Sequence, residues 1–202
     1  MKIKKVLVVL LIPFAVNFFI ACCDCLETTF LGYTHCSLTI DNLDNSGLSP
    51  VVDTSGQIIK TAFGLRVQVQ RSENTCFRNS PTLFVHSAYA YDCHCPPVEE
   101  YSPIDSITSI SITTLNEFDD DHPAGAAINA YFNVLVGTDF IPIEEFDLAL
   151  SNRFWDVINN DWTVDLMLMV APPERGDYQF EVEIGLSDGR ALVGTSVKVD
   201  LR

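Results

Sequence analysis

The sequence predicts a mostly β protein, an immunoglobulin-like antiparallel β-sandwich with one or two short helices between residues 120 and 155. Several stretches alternate apolar and polar residues with a period of two, which is the pattern of strands buried on one face. Turn-forming dipeptides separate these stretches. The last three stretches follow one another along the chain, two of them with polar outer faces, which favours a sandwich over a parallel sheet.

Four strands are predicted in the first part of the chain. In the first of them, Leu38 and Ile40 share a face. In the fourth, Ile107 is out of phase with the two isoleucines that follow it, which predicts a β-bulge or a division into two short pieces. Residues 41–50 hold turn dipeptides, and residues 51–61 predict a loop or a short strand. The four predicted strands cover residues 36–40, 63–70, 83–91 and 104–114.

The segment from residue 115 to residue 162 breaks this alternation. Apolar residues recur at helical spacing between Ile128 and Leu135. Residues 142–150 begin with proline and carry two glutamates in their first turn, which predicts a short helix.

The end of the chain has the clearest strand pattern. Residues 164–170, 178–186 and 193–201 each alternate apolar and polar side chains. Asp188-Gly189 lies between the last two stretches and is a strong hairpin signal.

The first 21 residues are predicted to be a lipoprotein signal peptide. Three lysines precede an apolar run, and the tetrapeptide Phe19-Ile20-Ala21-Cys22 matches a lipobox in its last three positions. We therefore expect Cys22 to be lipidated, residues 22–35 to be a tether, and residues 36–202 to be a single domain. A plain secretory signal and an uncleaved anchor are the alternatives.

The charge of the chain limits its partners. Loss of residues 1–21 removes three lysines and no acid, so the formal net charge changes from −15 to −18. Such a domain repels phosphate backbones, so we expect no nucleic-acid partner. Its contact with the membrane is expected through the N-terminal lipid, because each buried methylene contributes ~0.8 kcal/mol.

Several features together resemble a known family. They are the lipobox, the Cys-rich start, an Asp-Asn-Ser-Gly turn, and an ending with Ala-Pro-Pro, Tyr-x-Phe-x-Val and Asp-Gly. The chain resembles a family of uncharacterised bacterial envelope lipoproteins, a domain of unknown function. The resemblance covers most of the chain. It implies a β-sandwich in a Gram-negative envelope, with the outer membrane as the expected anchor site, and it carries no catalytic residue.

Six cysteines remain when Cys22 is set aside. An even number in an exported chain predicts disulfides, with the pairing left open. Free or mixed thiols are one alternative. Zinc or copper binding by His35-Cys36 and Cys93-His94-Cys95 is a weaker one, since C-x-C lacks the two-residue spacing of a zinc knuckle. We predict no metal and no cofactor. The six candidate disulfide cysteines are Cys23, Cys25, Cys36, Cys76, Cys93 and Cys95.

Other motifs do not predict an enzyme. Gly185-Leu186-Ser187-Asp188-Gly189 matches G-x-S-x-G, but a strand follows it and no histidine comes later, so it predicts a hairpin and not a nucleophile elbow. The acidic residues from Glu117 to Asp121 lack EF-hand spacing and predict a solvated loop over a calcium site. Trp155 and Trp162 are a candidate ligand platform for a sugar ring, with core packing as the alternative for each.

The sequence therefore predicts a lipid-anchored, non-enzymatic binding or assembly module of the cell envelope. Its partner would be an envelope protein or a glycan. The alternatives are a structural envelope lipoprotein without a small ligand, and an enzyme of a type that the motifs do not identify.

Overall fold

The structure is a computed structural model, and it describes residues 28–72, 98–148 and 161–202, with the side chains of 28–31, 98–101 and 161 left aside. The signal peptide, the lipidation residue Cys22 and the predicted strand at residues 83–91 lie outside the described residues. In the described ranges, no helix is long and apolar enough to cross a bilayer.

The described chain is mostly β-strand, which confirms the predicted fold class. Three 3₁₀ helices occur among the described residues, at Lys60–Ala62, Asn129–Tyr131 and Ile143–Glu145. The strands are β1 Thr28–Asp44, β2 Val51–Val52, β3 Gln57–Ile58, β4 Phe63–Ser72, β5 Val98–Pro103, β6 Ile107–Thr114, β7 Phe132–Val136, β8 Asp139–Pro142, β9 Asp161–Leu168, β10 Gly176–Tyr178, β11 Phe180–Leu186, β12 Ala191–Thr195 and β13 Val199–Leu201.

The chain divides into two units. The smaller one comprises Met1–Gly32 and Arg78–Ser102, and its described part is the start of β1 and most of β5. The larger one comprises Tyr33–Phe77 and Pro103–Arg202. The candidate sites below all lie in this larger unit.

Three sheets build the larger unit. Within this unit, the main sheet has the order β2-β1-β4-β9-β7-β8. A second sheet has the order β12-β11-β6, and a third has the order β10-β13-β3. Every pair in the first path and in the second sheet is antiparallel, while β13 and β3 run parallel.

The core lies between the main sheet and the second sheet. Phe180 of β11 packs against Phe63 of β4 at 5.3 Å and against Phe132 of β7 at 5.8 Å between ring centroids. Leu65 and Ile184 are fully buried beside them. Alternation in β4 and β11 sends one face of each strand into this core, where a buried apolar side chain contributes about 1.5–3 kcal/mol.

Two bulges adjust which residues face the core. In β1 the register shifts between His35 and Ser37, so Cys36 is the extra residue. His35 before the bulge and Leu38 after it then lie on the same face, opposite Arg71 and Val69 of β4. The bulge predicted from the phase of Ile107 is also present, since the β6–β11 register shifts there.

The first strand is longer than predicted. It begins at Thr28, inside the segment predicted as a tether, and continues through residues 41–44, which were predicted as turn. Pairing with β4 and β2 explains the extension, because Asp44 lies opposite both Phe63 and Val51. Tertiary pairing here overrides local turn chemistry.

The last predicted strand, residues 193–201, is divided between two sheets. Val193 and Val197 were predicted to face inward and are 54% and 67% exposed, whereas Ser196 is buried. A Cβ on Gly194 would lie 3.1 Å from side-chain carbons of Leu38 and Ile40, so this backbone packs directly against β1. Leu192, Gly194 and Ser196 thus face inward, and the phase changes between Ser196 and Val199, where the chain passes from β12 to β13.

The predicted stretch 178–186 is also divided, into β10 and β11. The predicted hairpin at Asp188-Gly189 is present between β11 and β12, with Gly189 at φ 85°. This conformation favours glycine because it has no Cβ.

The predicted helices are single 3₁₀ turns where they are described. The helical spacing from residue 128 gives one turn at Asn129–Tyr131, after which the chain becomes strand β7. Pro142 precedes the turn at Ile143–Glu145, as predicted, but the chain returns to extended backbone at Phe146. Burial of Phe132 and Val134 in the sheet explains why the longer helix does not form.

Candidate functional site

A groove of about 280 Å³ lies on the face of the main sheet that points away from the core. Its floor is formed by outward-facing residues of β4, β9 and β7, and Phe146 forms one wall. The lining residues are Arg66, Val134, Leu135, Val136, Gly137, Phe146, Thr163, Val164 and Asp165.

An ion pair forms the polar part of the floor. Arg66 of β4 lies directly opposite Asp165 of β9, so the strand register places the two side chains together. Arg66 donates from Nε to Oδ1 and from Nη2 to Oδ2 of Asp165, both at 2.8 Å. The side chains are 28% and 17% exposed. These hydrogen bonds raise the pKa of Arg66 above its ordinary value, against the opposing effect of burial.

Apolar side chains form the rest of the groove. Leu135 lies opposite Phe140 in the β7–β8 pair, and Phe140 is 43% exposed. Gly137 lies in the turn between β7 and β8 at φ 64°, a conformation that favours glycine. Val136, the residue before it, also lines the groove. Phe146 follows the 3₁₀ turn that is anchored by buried Ile143. The groove thus has a charged, hydrogen-bonding floor and an apolar wall.

This arrangement is suited to binding. Among the described lining residues, Thr163 is the one hydroxyl side chain, and no serine, cysteine, lysine or histidine accompanies it as a nucleophile or base. Arg66 and Asp165 satisfy each other in a bidentate pair. Partly exposed polar atoms beside apolar walls are the usual composition of a ligand groove.

A second polar cluster is buried near the start of the larger unit. The Nδ1 atom of His35 lies 2.5 Å from Oδ1 of Asp105, and the two side chains are 4% and 1% exposed. Thr34 donates its hydroxyl to Asp105, and Arg190 donates from Nη2 to the same carboxylate. We name His35, Thr34, Asp105 and Arg190 the buried latch.

The buried latch connects three parts of the chain. Arg190 also donates to the carbonyl of His35 at 3.0 Å and to Asp188 at 2.7 Å. Strand β1, the corner before β6 and the β11–β12 hairpin are therefore fastened to one carboxylate, that of Asp105. Because Asp105 is almost fully enclosed, its carboxylate is not open to a substrate, and its removal would leave the other three members of the latch without their shared acceptor.

The acidic loop contains a third cluster. Nδ1 of His122 lies 2.7 Å from Oδ1 of Asp119, and Tyr131 donates its hydroxyl to Oδ2 at 3.2 Å. Burial raises the pKa of Asp119, but hydrogen bonds from His122, the Asp121 backbone and Tyr131 outweigh it and lower the pKa overall. In the part of the chain that the structure describes, no group of three or more His, Cys, Asp or Glu residues is placed to hold a metal ion.

The predicted site residues are only partly within the described ranges. Trp162 is 5% exposed and belongs to the core, which favours core packing over a role as a ligand platform. Trp155 lies outside the described residues. Ser187 of the G-x-S-x-G stretch accepts a hydrogen bond from the Ser106 backbone at 2.9 Å, within the predicted hairpin.

The cysteine predictions stay predictions. Cys36 is half-buried at the bulge of β1, with its sulfur 3.7 Å from the carbonyl oxygen of Thr34. The other five candidate disulfide cysteines lie outside the described residues, as does Cys22.

Sequence reasoning did not find the groove or the buried latch. Arg66 belongs to the predicted strand at residues 63–70, but the sequence does not identify the strand that pairs with it. Asp105 and Arg190 are 85 positions apart in the chain. One feature of the sequence could have indicated the buried latch. Asp105 lies two residues before Ile107, which is buried, and a buried carboxylate requires hydrogen-bonding partners.

Comparisons with known proteins give one match. A family model described as "Domain of unknown function (DUF5034)" matches residues 35–197. No curated protein matches the chain. No solved structure matches it. The expected resemblance to a domain of unknown function is therefore confirmed, while the lipoprotein and Gram-negative parts of that expectation stay predictions.

Proposed function

The chain belongs to the family described as Domain of unknown function (DUF5034), and from this premise we propose that it is a lipid-anchored, non-enzymatic binding module of the cell envelope. Its partner is an envelope protein or a glycan. The observation that carries the proposal is the groove on the outer face of the main sheet, which combines the Arg66–Asp165 pair with the apolar wall at Phe146.

The anchor is supported by the sequence alone. Phe19-Ile20-Ala21-Cys22 follows a basic start and an apolar run, and lipid on Cys22 would hold the domain on a membrane without any basic protein surface. A Gram-negative envelope, with the outer membrane as the anchor site, is the location we propose. In that oxidising compartment the remaining cysteines would form disulfides.

Palmitate labelling in cells tests the anchor. Wild-type protein should incorporate labelled palmitate and fractionate with membranes, and Cys22→Ser should do neither. Equal labelling of the variant would remove Cys22 as the lipidated residue.

Partner capture tests the binding function. The full chain is used as bait on solubilised envelope proteins and on a glycan array, beside Phe146→Ala and Arg66→Ala. We expect a partner that wild type captures and both variants lose. Lys198→Ala serves as the control, because Lys198 is exposed in the segment between β12 and β13 and pairs only with Asp177 among the described residues. Capture unaffected by either groove variant would place the function elsewhere.

A structural envelope lipoprotein without a ligand is the alternative. The buried latch favours it, since it fastens three parts of the chain at the expense of enclosing charged groups. Under this alternative, deletion of the protein would alter envelope integrity while Phe146→Ala and Arg66→Ala would restore it fully.

A further inference from the structure

The rim of the groove is acidic. Glu144 and Glu145 are exposed on the 3₁₀ turn immediately before Phe146, which lines the groove. Asp41 of β1 lies directly opposite Arg66 and adds a half-buried carboxylate beside the floor. Glu144, Glu145 and Asp41 therefore place carboxylates near the residues that line the groove.

The positive charge on this face is already matched. Arg66 is the one basic residue among the described residues that line the groove, and Asp165 neutralises it through two hydrogen bonds. Attraction by Asp41 also raises the pKa of Arg66, after the larger effect of Asp165. An anionic ligand would meet net repulsion here, and a neutral sugar would gain nothing from the acidic rim.

The apolar side chains of the groove narrow the class of ligand further. Leu135, Val136 and Phe146 line one side of the groove, and exposed Phe140 continues that surface along β8. A free metal ion or a polyamine would satisfy the carboxylates but would leave these side chains in water. A peptide with lysine or arginine next to leucine, valine or phenylalanine satisfies both.

From this charge complementarity we propose that the groove binds a basic, partly apolar segment of a partner protein. The inference rests on the proposed binding function and specifies its ligand. In the complex, the apolar side chains of the segment contact Phe146 and Leu135, and its ammonium or guanidinium groups face Glu144 and Glu145. A glycan partner is the competing outcome.

Fluorescence anisotropy with defined peptides tests this ligand class. The full chain in detergent is titrated into three labelled heptapeptides that alternate lysine with leucine, lysine with serine, or glutamate with leucine. We expect the lysine–leucine peptide to bind at least about tenfold more tightly than the other two, because it alone offers both charge and apolar surface.

Matched variants locate the binding site. Glu144→Gln combined with Glu145→Gln should weaken the lysine–leucine peptide about fivefold at low salt. The control is Glu181→Gln combined with Glu183→Gln, which makes the same change of charge on β11 of the second sheet and should change affinity less than about twofold. Equal losses in the two double variants would mean unspecific attraction to an acidic protein and would overturn the proposal.

The Phe146 variants separate the apolar contribution from charge. Phe146→Ala should weaken the lysine–leucine peptide about tenfold and leave the lysine–serine peptide unchanged, while Phe146→Leu should retain most of the affinity. Thermal unfolding of each variant shows that it is folded. If no peptide binds but groove variants lose a partner found by capture or on the glycan array, the binding function stands and the basic-peptide ligand is rejected. If the peptides bind as expected while capture finds no partner, the groove has this specificity but the proposed function in the envelope falls.

Discussion

Two arginine–aspartate pairs in this protein have the same chemistry and different surroundings. Arg66 and Asp165 lie on the outer face of the main sheet, where the carboxylate is 17% exposed. Arg190 and Asp105 meet in the buried latch, where the carboxylate is 1% exposed and also bonds His35 and Thr34. The arginines do not differ in the same direction, since the Arg190 side chain is 37% exposed and that of Arg66 is 28% exposed. The comparison teaches that the two pairs are distinguished by the burial of the carboxylate and by the number of groups bonded to it.

The origin of the two pairs also differs. Arg66 and Asp165 are opposite each other in one antiparallel ladder, so strand pairing alone brings them together. Asp105 lies before β6, and Arg190 lies in the β11–β12 hairpin, and their meeting depends on two turns and on β1. A pair set by several elements is harder to replace, because removal of one member leaves several others without partners.

Removal of the latch carboxylate has the largest expected effect. Asp105→Ala removes a buried carboxylate that His35, Thr34 and Arg190 share as acceptor, and we expect a loss of about 3–5 kcal/mol in the free energy of unfolding. Urea denaturation measures it. Asp188→Ala, which removes only the exposed partner of Arg190, should lose much less. Equal losses in the two variants would contradict the distinction between buried and exposed partners.

The outer face of the main sheet is closely packed at Gly64, and a substitution at this residue tests that packing. A Cβ at Gly64 would lie 2.8 Å from the sulfur of Met167 and 2.9 Å from the carbonyl oxygen of Leu166. Gly64→Ala should therefore lower the free energy of unfolding by about 1–3 kcal/mol in urea denaturation. Met167→Ala in the same background relieves the side-chain clash but not the backbone one, so it should restore only part of the loss. Full wild-type stability of Gly64→Ala would mean that this face is more open than described.

The outer ion pair has a smaller expected effect on stability. Arg66→Ala and Asp165→Ala should each change the free energy of unfolding by no more than about 1 kcal/mol, since water screens partly exposed pairs. The double variant measures their coupling by a double-mutant cycle in urea. A loss above about 3 kcal/mol for either single variant would show that this pair behaves like the buried latch.

The smallest expected effect concerns acid pH and the cluster at Asp119. The hydrogen bonds from His122, the Asp121 backbone and Tyr131 lower the pKa of Asp119 in spite of the opposing effect of burial. Because the folded-state pKa is below the unfolded one, this contribution is fully present above the unfolded pKa, about pH 4. It is lost as pH falls through the folded value.

Urea denaturation between pH 2 and pH 6 checks this dependence. Asp119→Asn should flatten the loss of stability at acid pH, and Tyr131→Phe, which removes one hydrogen bond, should flatten it less. An unchanged profile in Asp119→Asn would show that other carboxyl groups cause the acid dependence.

Sequence patterns predicted the parts of the fold that depend on local alternation. Strand β4, the bulge near Ile107 and the Asp188-Gly189 hairpin follow from residues close together in the chain. The patterns failed where the chain passes from one sheet to another, as between Ser196 and Val199, where the inward-facing positions change phase. Alternation shows which residues share a face but cannot show where a strand leaves one sheet for another.

The amino-acid order was sufficient for the fold class, the acidic charge and the proposed anchor at Cys22, because each depends on composition or on a short contiguous motif. The groove, the buried latch and the burial of Trp162 depended on folding in three dimensions. All three features are set by the register between strands and by contacts between distant turns. Register and turn contacts leave no pattern at a fixed spacing along the chain.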